Sequence, residues 1–170
     1  MKDKTTIIFI SIFVIIVLGV GIFGFMQDGK TNSDDSTSND SPSSEAKIEI
    51  TPASHNLGNV SQKEGVVSKS FSVENTGTGD LIIDDMVSSC SCTSAALVVN
   101  DKEGPRFGMH NNPKNWSATI KPGETTDLMV YYDPNVHKDF RGSATREITL
   151  STNDENNPEK IVKISLKQVD

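Results

Sequence analysis

From Lys47 onward, residues alternate between two faces with a period of two. In segment 127–132, Leu128, Val130 and Tyr132 share one parity, and the residues between them share the other. Because successive side chains of a strand point to opposite faces of a sheet, this pattern is typical of half-buried strands. It predicts eight strands, near residues 47–52, 66–74, 80–87, 94–99, 116–120, 125–132, 144–152 and 160–168.

Turn-forming residues separate these segments. Examples are Lys121-Pro122-Gly123-Glu124 and Arg141-Gly142, which combine the residues that favour tight turns. No stretch after residue 27 shows a sustained helical period. Seven or eight short antiparallel strands in about 124 residues predict an all-β, immunoglobulin-like sandwich of two sheets.

The chain begins with a different kind of segment. Ile7 to Met26 is a run of 20 residues without a charge, long enough as a helix to cross the roughly 30 Å hydrocarbon core once. Lys2 and Lys4 precede the run, which places residues 1–6 in the cytoplasm by the positive-inside rule. A cleaved signal peptide is the alternative, but the run is longer than its apolar region and lacks a small-residue cleavage site. We therefore expect an uncleaved signal-anchor and a single-pass protein of the cell membrane.

Residues 27–46 are rich in Ser and Asp, and we expect them to form a disordered linker to a domain at 47–170. The linker and the domain are both acidic, within a net charge of -7. Nucleic acid as a partner is excluded by this charge, because its recognition calls for a basic face. The membrane and an envelope protein are the expected partners, and the charge says nothing about oligomeric state.

The order of six short motifs resembles a known bacterial family. They are His55-Asn56-Leu57-Gly58-Asn59-Val60, Phe71-Ser72-Val73-Glu74-Asn75-Thr76-Gly77, Leu81-Ile82-Ile83, Ser89-Cys90-Ser91-Cys92-Thr93, Ile120-Lys121-Pro122-Gly123-Glu124 and Ser151-Thr152-Asn153-Asp154. This succession resembles the domain of unknown function 1573. The resemblance implies an immunoglobulin-type sandwich, related to the major-sperm-protein and pilus-chaperone folds and commonly exported or membrane-anchored, with no assigned activity. The family usually has glycine where this chain has Ser91, and residues 101–116 look like an insertion.

Cys90 and Cys92 are the only two cysteines of the chain. On a strand end, residues i and i+2 project to the same face, which gives a chelating pair of sulfurs. A disulfide between them requires the segment to be turned, since an extended pair is too widely spaced. The third interpretation is that both are small buried hydrophobes of the core.

Further candidate ligands lie in loops. Met109 and His110 follow the glycines and proline of segment 104–108, and His137 lies in a second loop. Two thiolates with a thioether and an imidazole favour copper(I), whereas two thiolates with two imidazoles suit zinc. The spacing matches no standard zinc motif. The simpler alternative is that Phe107 and Met109 plug the open end of the sandwich and His110 is exposed.

The sequence contains no catalytic constellation, so we expect no enzyme and no obligatory cofactor. Acidic loop residues, including Asp154 and Glu155, are interpreted as solvated charges. The first hypothesis is a tethered binding or structural module that uses a sheet edge or its end loops. The second is a module that binds copper(I) or zinc through Cys90 and Cys92. The third is thiol–disulfide exchange, although no Lys, Arg or His adjoins the cysteines in sequence to favour a thiolate.

Overall fold

A computed structural model describes residues 45–170 of the chain. The predicted cytoplasmic segment, membrane-spanning helix and nearly all of the predicted linker lie outside these residues. Within 45–170, no helix has the length and apolar character needed to cross a bilayer.

The described residues form ten strands and one short 3-10 helix at Gln62–Glu64. The strands are β1 (Ile48–Thr51), β2 (Ser54–Val60), β3 (Val67–Asn75), β4 (Leu81–Ser88), β5 (Thr93–Val99), β6 (Lys102–Glu103), β7 (Ala118–Ile120), β8 (Thr125–Tyr132), β9 (Gly142–Thr152) and β10 (Glu159–Gln168).

The strands form two five-stranded sheets, which confirms the predicted all-β sandwich. The first sheet has the order β1-β3-β8-β5-β6, and the second has the order β2-β10-β9-β4-β7. All strand pairs are antiparallel except β2 and β10, which run parallel. The expectation of a fully antiparallel sandwich is therefore wrong at this pair. β1 lies in the first sheet, and the next strand, β2, lies in the second sheet beside β10.

The core lies between the sheets and follows the predicted alternation. On β3, β8 and β9 the inward side chains include Phe71, Leu128, Val130 and Leu150, all at most 1% exposed. Three residues of the core cluster lie outside the strands, and they are Cys90, Cys92 and Phe107. Phe107 of the insertion is 1% exposed, forms a bridge with Ala95 of β5 and packs on Trp116 with ring centroids 4.8 Å apart. The insertion therefore covers the outer edge of β5.

Asp154 is not the solvated charge that its sequence context suggests. Its side chain lies in the β9–β10 turn and is 1% exposed. Oδ2 accepts a hydrogen bond from the backbone N–H of Ile48 at 3.0 Å, which ties β1 to this turn. Burial alone raises the pKa of Asp154, but the N–H donors of Ile48, Asn157 and Asn156 outweigh burial and lower the pKa below 3.8. Glu155 is exposed, as expected.

Candidate functional site: a disulfide between a histidine and an arginine

The two cysteines lie in the turn that carries the chain from β4 in one sheet to β5 in the other. Ser88 at the end of β4 holds this turn, because its Oγ accepts from the N–H of Cys90 at 3.3 Å and donates to the Cys90 carbonyl at 2.9 Å. The N–H of Thr93 donates to the same carbonyl at 3.0 Å. The turn brings the two Cα atoms to 5.2 Å, and the sulfurs form a disulfide. The segment that holds Cys90 and Cys92 is therefore turned, as a disulfide between them requires.

This disulfide closes a very short ring, with one residue between the cysteines. The chain-entropy relation gives about 1.6 kcal/mol for a three-residue loop, against about 3 kcal/mol for fifteen residues. Both sulfurs also belong to the core cluster, with Cys90 at 9% and Cys92 at 2% exposure. The bond therefore adds little to stability by cross-linking, even though the cysteines fill space as core residues.

A basic side chain lies beside each sulfur. Nε2 of His137 is 3.4 Å from Cys90 Sγ, and only the ring nitrogen can donate, because a disulfide sulfur carries no proton. Nε of Arg146 donates to Cys92 Sγ at 3.2 Å. The backbone N–H of Cys92 also donates to Cys90 Sγ at 3.2 Å, and the Thr93 hydroxyl lies 3.6 Å from Cys92 Sγ. Positive charge and N–H donors near sulfur favour the thiolate over the thiol.

The loop that carries His137 is fixed by two glutamines from distant parts of the chain. Gln168, buried in β10, accepts a hydrogen bond from Tyr132 and donates to the carbonyls of Pro134 and His137 at 3.0 and 3.4 Å. Gln62 donates to the carbonyl of Lys138 at 2.7 Å. These bonds add to those within the loop, where the His137 carbonyl accepts from the Phe140 N–H and the Lys138 carbonyl accepts from Arg141, so the imidazole is held next to the disulfide by a structured loop.

A shallow pocket of about 190 Å³ opens beside Cys92. Val66 and Val136, which are 53% and 44% exposed, contribute to its walls together with Tyr131. A second shallow depression is lined by Val136, His137, Phe140 and Arg146 among others. The two depressions share Val136, and Cys92 lines the first of them.

Polar contacts fix the wall of the first pocket. Arg106 lies over the Tyr131 ring, 3.7 Å from its centroid, and its Nε is 3.1 Å from Glu103 Oε1. The Tyr131 hydroxyl donates to Glu103 Oε2 at 2.6 Å, and this bond, with the Arg106 charge, holds the pKa of Glu103 below its usual value. Burial and the Glu103 carboxylate raise the pKa of Tyr131. The phenol therefore stays a neutral donor at neutral pH.

Three of the five ligand candidates from the sequence come together. Ligand atoms of Cys90, Cys92 and His137 all lie within 4.8 Å of one another. His110 is not part of this group and is exposed, as is Met109 at 41%. Their loop is held against β4, because Asn112 donates to the Met86 carbonyl and accepts from the Gly108 N–H. Of the predicted plug, Phe107 is buried and Met109 is not.

Arg146 was missed by the sequence analysis, although a signal was present. In β9, Ala144, Ile148 and Leu150 face inward, and Arg146 occupies the same parity as these residues. An arginine at an inward-facing strand position needs a partner, because an unpaired buried charge is costly. The sequence does not say that the partner is the sulfur of Cys92, which lies 54 residues earlier.

The two packed sheets define a domain of the immunoglobulin-like class. The chain belongs to the family of HYDIN/CFA65/VesB-like, Ig-like domains, whose model matches residues 46–167. No curated protein matches the chain significantly in sequence.

Several solved structures have a similar fold. A protein of unknown function from Porphyromonas gingivalis is 18% identical with a TM-score of 0.57, and the match covers 73% of this chain and 48% of that one. This chain therefore corresponds to about half of that protein. PapD-like domain 7 of human CEP192 is 12% identical with a TM-score of 0.48, covering 84% of this chain and 99% of the domain. The VesB protease of Vibrio cholerae is 16% identical with a TM-score of 0.46, covering 74% and 32%.

Proposed function

We propose that the chain is a membrane-tethered module that displays its immunoglobulin-like domain outside the cytoplasm and binds a protein partner with the end that carries the disulfide. The observation that carries this proposal is the pair of exposed valines, Val66 and Val136, beside the pocket that Cys92 lines. Exposed apolar side chains around a concave site are typical of contact surfaces. The uncharged run at 7–26 supports the tether. We also propose that the chain is a member of the domain of unknown function 1573.

The edges of the two sheets offer a partner few free backbone groups for strand addition. Three of the four edge strands are short, with four residues in β1, two in β6 and three in β7. Short edge strands leave few free backbone groups for an added strand. This favours the end loops over strand addition as the binding surface.

Site-specific photo-crosslinking in cells tests the contact. A photo-reactive amino acid replaces Val136 in one variant and Ile161 in the control, because Ile161 of β10 is equally exposed at 42%. We expect a discrete adduct from position 136 only, and its loss when Val66→Asp places a charge in the contact. Equal adducts from both positions, or none from position 136, would contradict the proposal.

A second candidate is binding of a soft metal ion by the reduced site. The observation in its favour is the convergence of Cys90, Cys92 and His137 within 4.8 Å, since two thiolates and an imidazole suit copper(I) or zinc. The Arg146 guanidinium beside Cys92 opposes a bound cation. Competition titration of the reduced protein against the Cys90→Ser, Cys92→Ser double variant tests it, with equal weak affinity as the contradicting result.

A further inference from the structure

We propose that Cys90 and Cys92 are a redox-active pair that exchanges two electrons with cysteines of a protein partner, with Cys90 as the reacting sulfur and Arg146 as the residue that stabilises the departing Cys92 thiolate. The inference rests on the proposed function, because it takes the partner to be the protein that contacts this end of the sandwich. It goes further by naming the chemistry of that contact.

The disulfide contributes little to holding the fold together. Closing a three-residue loop removes little entropy from the unfolded chain compared with the longer loops of structural disulfides. The turn is also held independently, by the Ser88 hydroxyl and by the bond from Thr93 to the Cys90 carbonyl. A bond that is not needed to hold its own turn is free to open and close.

A basic side chain also lies beside each sulfur. His137 comes from the β8–β9 loop and Arg146 from β9, and each lies within 3.4 Å of a different sulfur. A guanidinium does not stabilise a neutral core disulfide, whereas its positive charge does stabilise a thiolate. The fold therefore supplies the basic neighbours that are absent from the local sequence.

The two cysteines also differ in how exposed they are. Cys90 is 9% exposed, Cys92 is 2% exposed, and the imidazole beside Cys90 is itself exposed. A partner thiolate therefore reaches Cys90 more easily than Cys92. The deeper sulfur is the one that Arg146 and the Thr93 hydroxyl contact, which suits a leaving group that carries negative charge.

The exchange follows from this geometry. A partner thiolate attacks Cys90 Sγ, a bond forms between the two proteins, the Cys90–Cys92 bond breaks, and its electron pair stays on Cys92 Sγ beside Arg146. A second partner thiolate then attacks the partner's own sulfur in the mixed disulfide and expels the Cys90 thiolate beside His137. The partner dithiol is oxidised to a disulfide, this site is reduced by two electrons, and the two thiol protons pass to the cysteines or to water. The reverse sequence reduces a partner disulfide.

The surroundings favour an extended peptide segment over a small thiol. Val66 and Val136 offer apolar contact in the pocket that Cys92 lines, and Val136 also lines the depression that holds His137, whereas a tripeptide thiol has no apolar side chain to use this contact. Other charged and titratable groups also face these depressions: Arg106, Tyr131, Asp133, Lys138 and Asp139. Arg146 is the group that touches the leaving sulfur.

Trapping the mixed disulfide tests the assignment of Cys90. Purified full-length chain in detergent, first reduced and freed of the reductant and then kept with a chelator, is mixed with a synthetic peptide whose single disulfide is flanked by valines. We expect the Cys92→Ser variant to form a stable adduct at least roughly tenfold faster than Cys90→Ser, because Cys92 is the buried sulfur. In the native chain, acid quenching and mass mapping should place the transient adduct on Cys90. Faster reaction at Cys92, or no exchange by folded protein, would overturn the proposal.

Glutathione disulfide serves as the small-thiol arm of the same experiment. The peptide should react faster at equal concentration, and equal rates would overturn the assignment of a protein partner. Photo-crosslinking at position 136 in the Cys90→Ser, Cys92→Ser variant keeps the two proposals separate. An adduct there without exchange in the native chain leaves the contact standing and removes the redox chemistry.

Arg146 is tested by Arg146→Gln, which keeps a hydrogen-bond donor but removes the charge. The pH at which the ultraviolet absorbance of the thiolate develops in the reduced protein should rise by about one pH unit, and exchange should slow by about tenfold at neutral pH. Lys167→Gln, at an exposed position of β10, is the matched control and should change neither. A purely structural arginine would lower thermal stability without moving the thiolate titration, and that result would overturn its assigned role.

Discussion

At the scale of single residues, Asp154 is a charged side chain that the sequence assigns to solvent and the fold buries. The segment Asn153-Asp154-Glu155-Asn156 has the composition of a solvated turn, yet the Asp154 carboxylate accepts four hydrogen bonds and is almost inaccessible. One donor belongs to β1, 106 residues away in sequence. No local pattern predicts a contact at that separation, so the sequence analysis assigned the wrong environment.

Asp154→Asn should destabilise the domain by roughly 1–3 kcal/mol at pH 7, because the amide turns an N–H group toward N–H donors. The native pKa is lowered below 3.8, so the stabilisation is present above that value and is lost as pH falls through the native pKa. The measurement is urea unfolding at pH 7 and at successively lower pH.

The difference between Asp154→Asn and the unmutated protein should shrink as the pH falls below about 4. Glu155→Gln is the control, because Glu155 is the exposed neighbour in the same turn. It should change the free energy of unfolding by less than about 0.5 kcal/mol. A constant difference across the pH range would mean that the carboxylate charge does not matter.

At the scale of elements, the period-two pattern located eight of the ten strands, with each boundary within about two residues of the prediction. The two that were missed have no such pattern. β2, with the sequence Ser-His-Asn-Leu-Gly-Asn-Val, exposes most of its residues and has one buried residue at its end. β6 has two residues, both exposed. Alternation reports burial of one face, so it cannot detect edge strands that bury almost nothing.

The insertion at 101–116 was noticed for its chemistry, but its buried residue gives it a structural role. Phe107→Ala should reduce the free energy of unfolding by about 3–5 kcal/mol, because the side chain is 1% exposed and packs on Trp116. Met109→Ala is the matched control in the same segment, and at 41% exposure it should cost less than about 0.5 kcal/mol. Denaturant unfolding of both variants decides the question. Similar losses would mean that Met109 also plugs the sandwich.

At the scale of the whole molecule, the candidate site combines residues that the sequence could find with residues that only the fold brings together. Cys90, Cys92 and His137 were identifiable by residue type. Arg146 and Gln168 were not, because they reach the site through the pairing of β9 and β10. The residues that adjoin Cys90 and Cys92 in sequence include no Lys, Arg or His, which counted against thiol chemistry. The β4–β5 crossover carries the cysteines, the β8–β9 crossover brings His137 beside Cys90, and β9 brings Arg146 beside Cys92.

A further prediction at this scale concerns how the chain is oriented in the membrane. We expect residues 7–26 to span the membrane once, with residues 28–170 outside, because lysines precede an uncharged run long enough to cross. Protease added to intact cells or spheroplasts should digest the domain, after cleavage within the polar segment 27–46. A cytoplasmic marker protein should survive the same treatment, which shows that the membrane is intact. A protected domain that becomes sensitive only after lysis would reverse the topology and place Cys90 and Cys92 in a reducing compartment, where their disulfide would not persist.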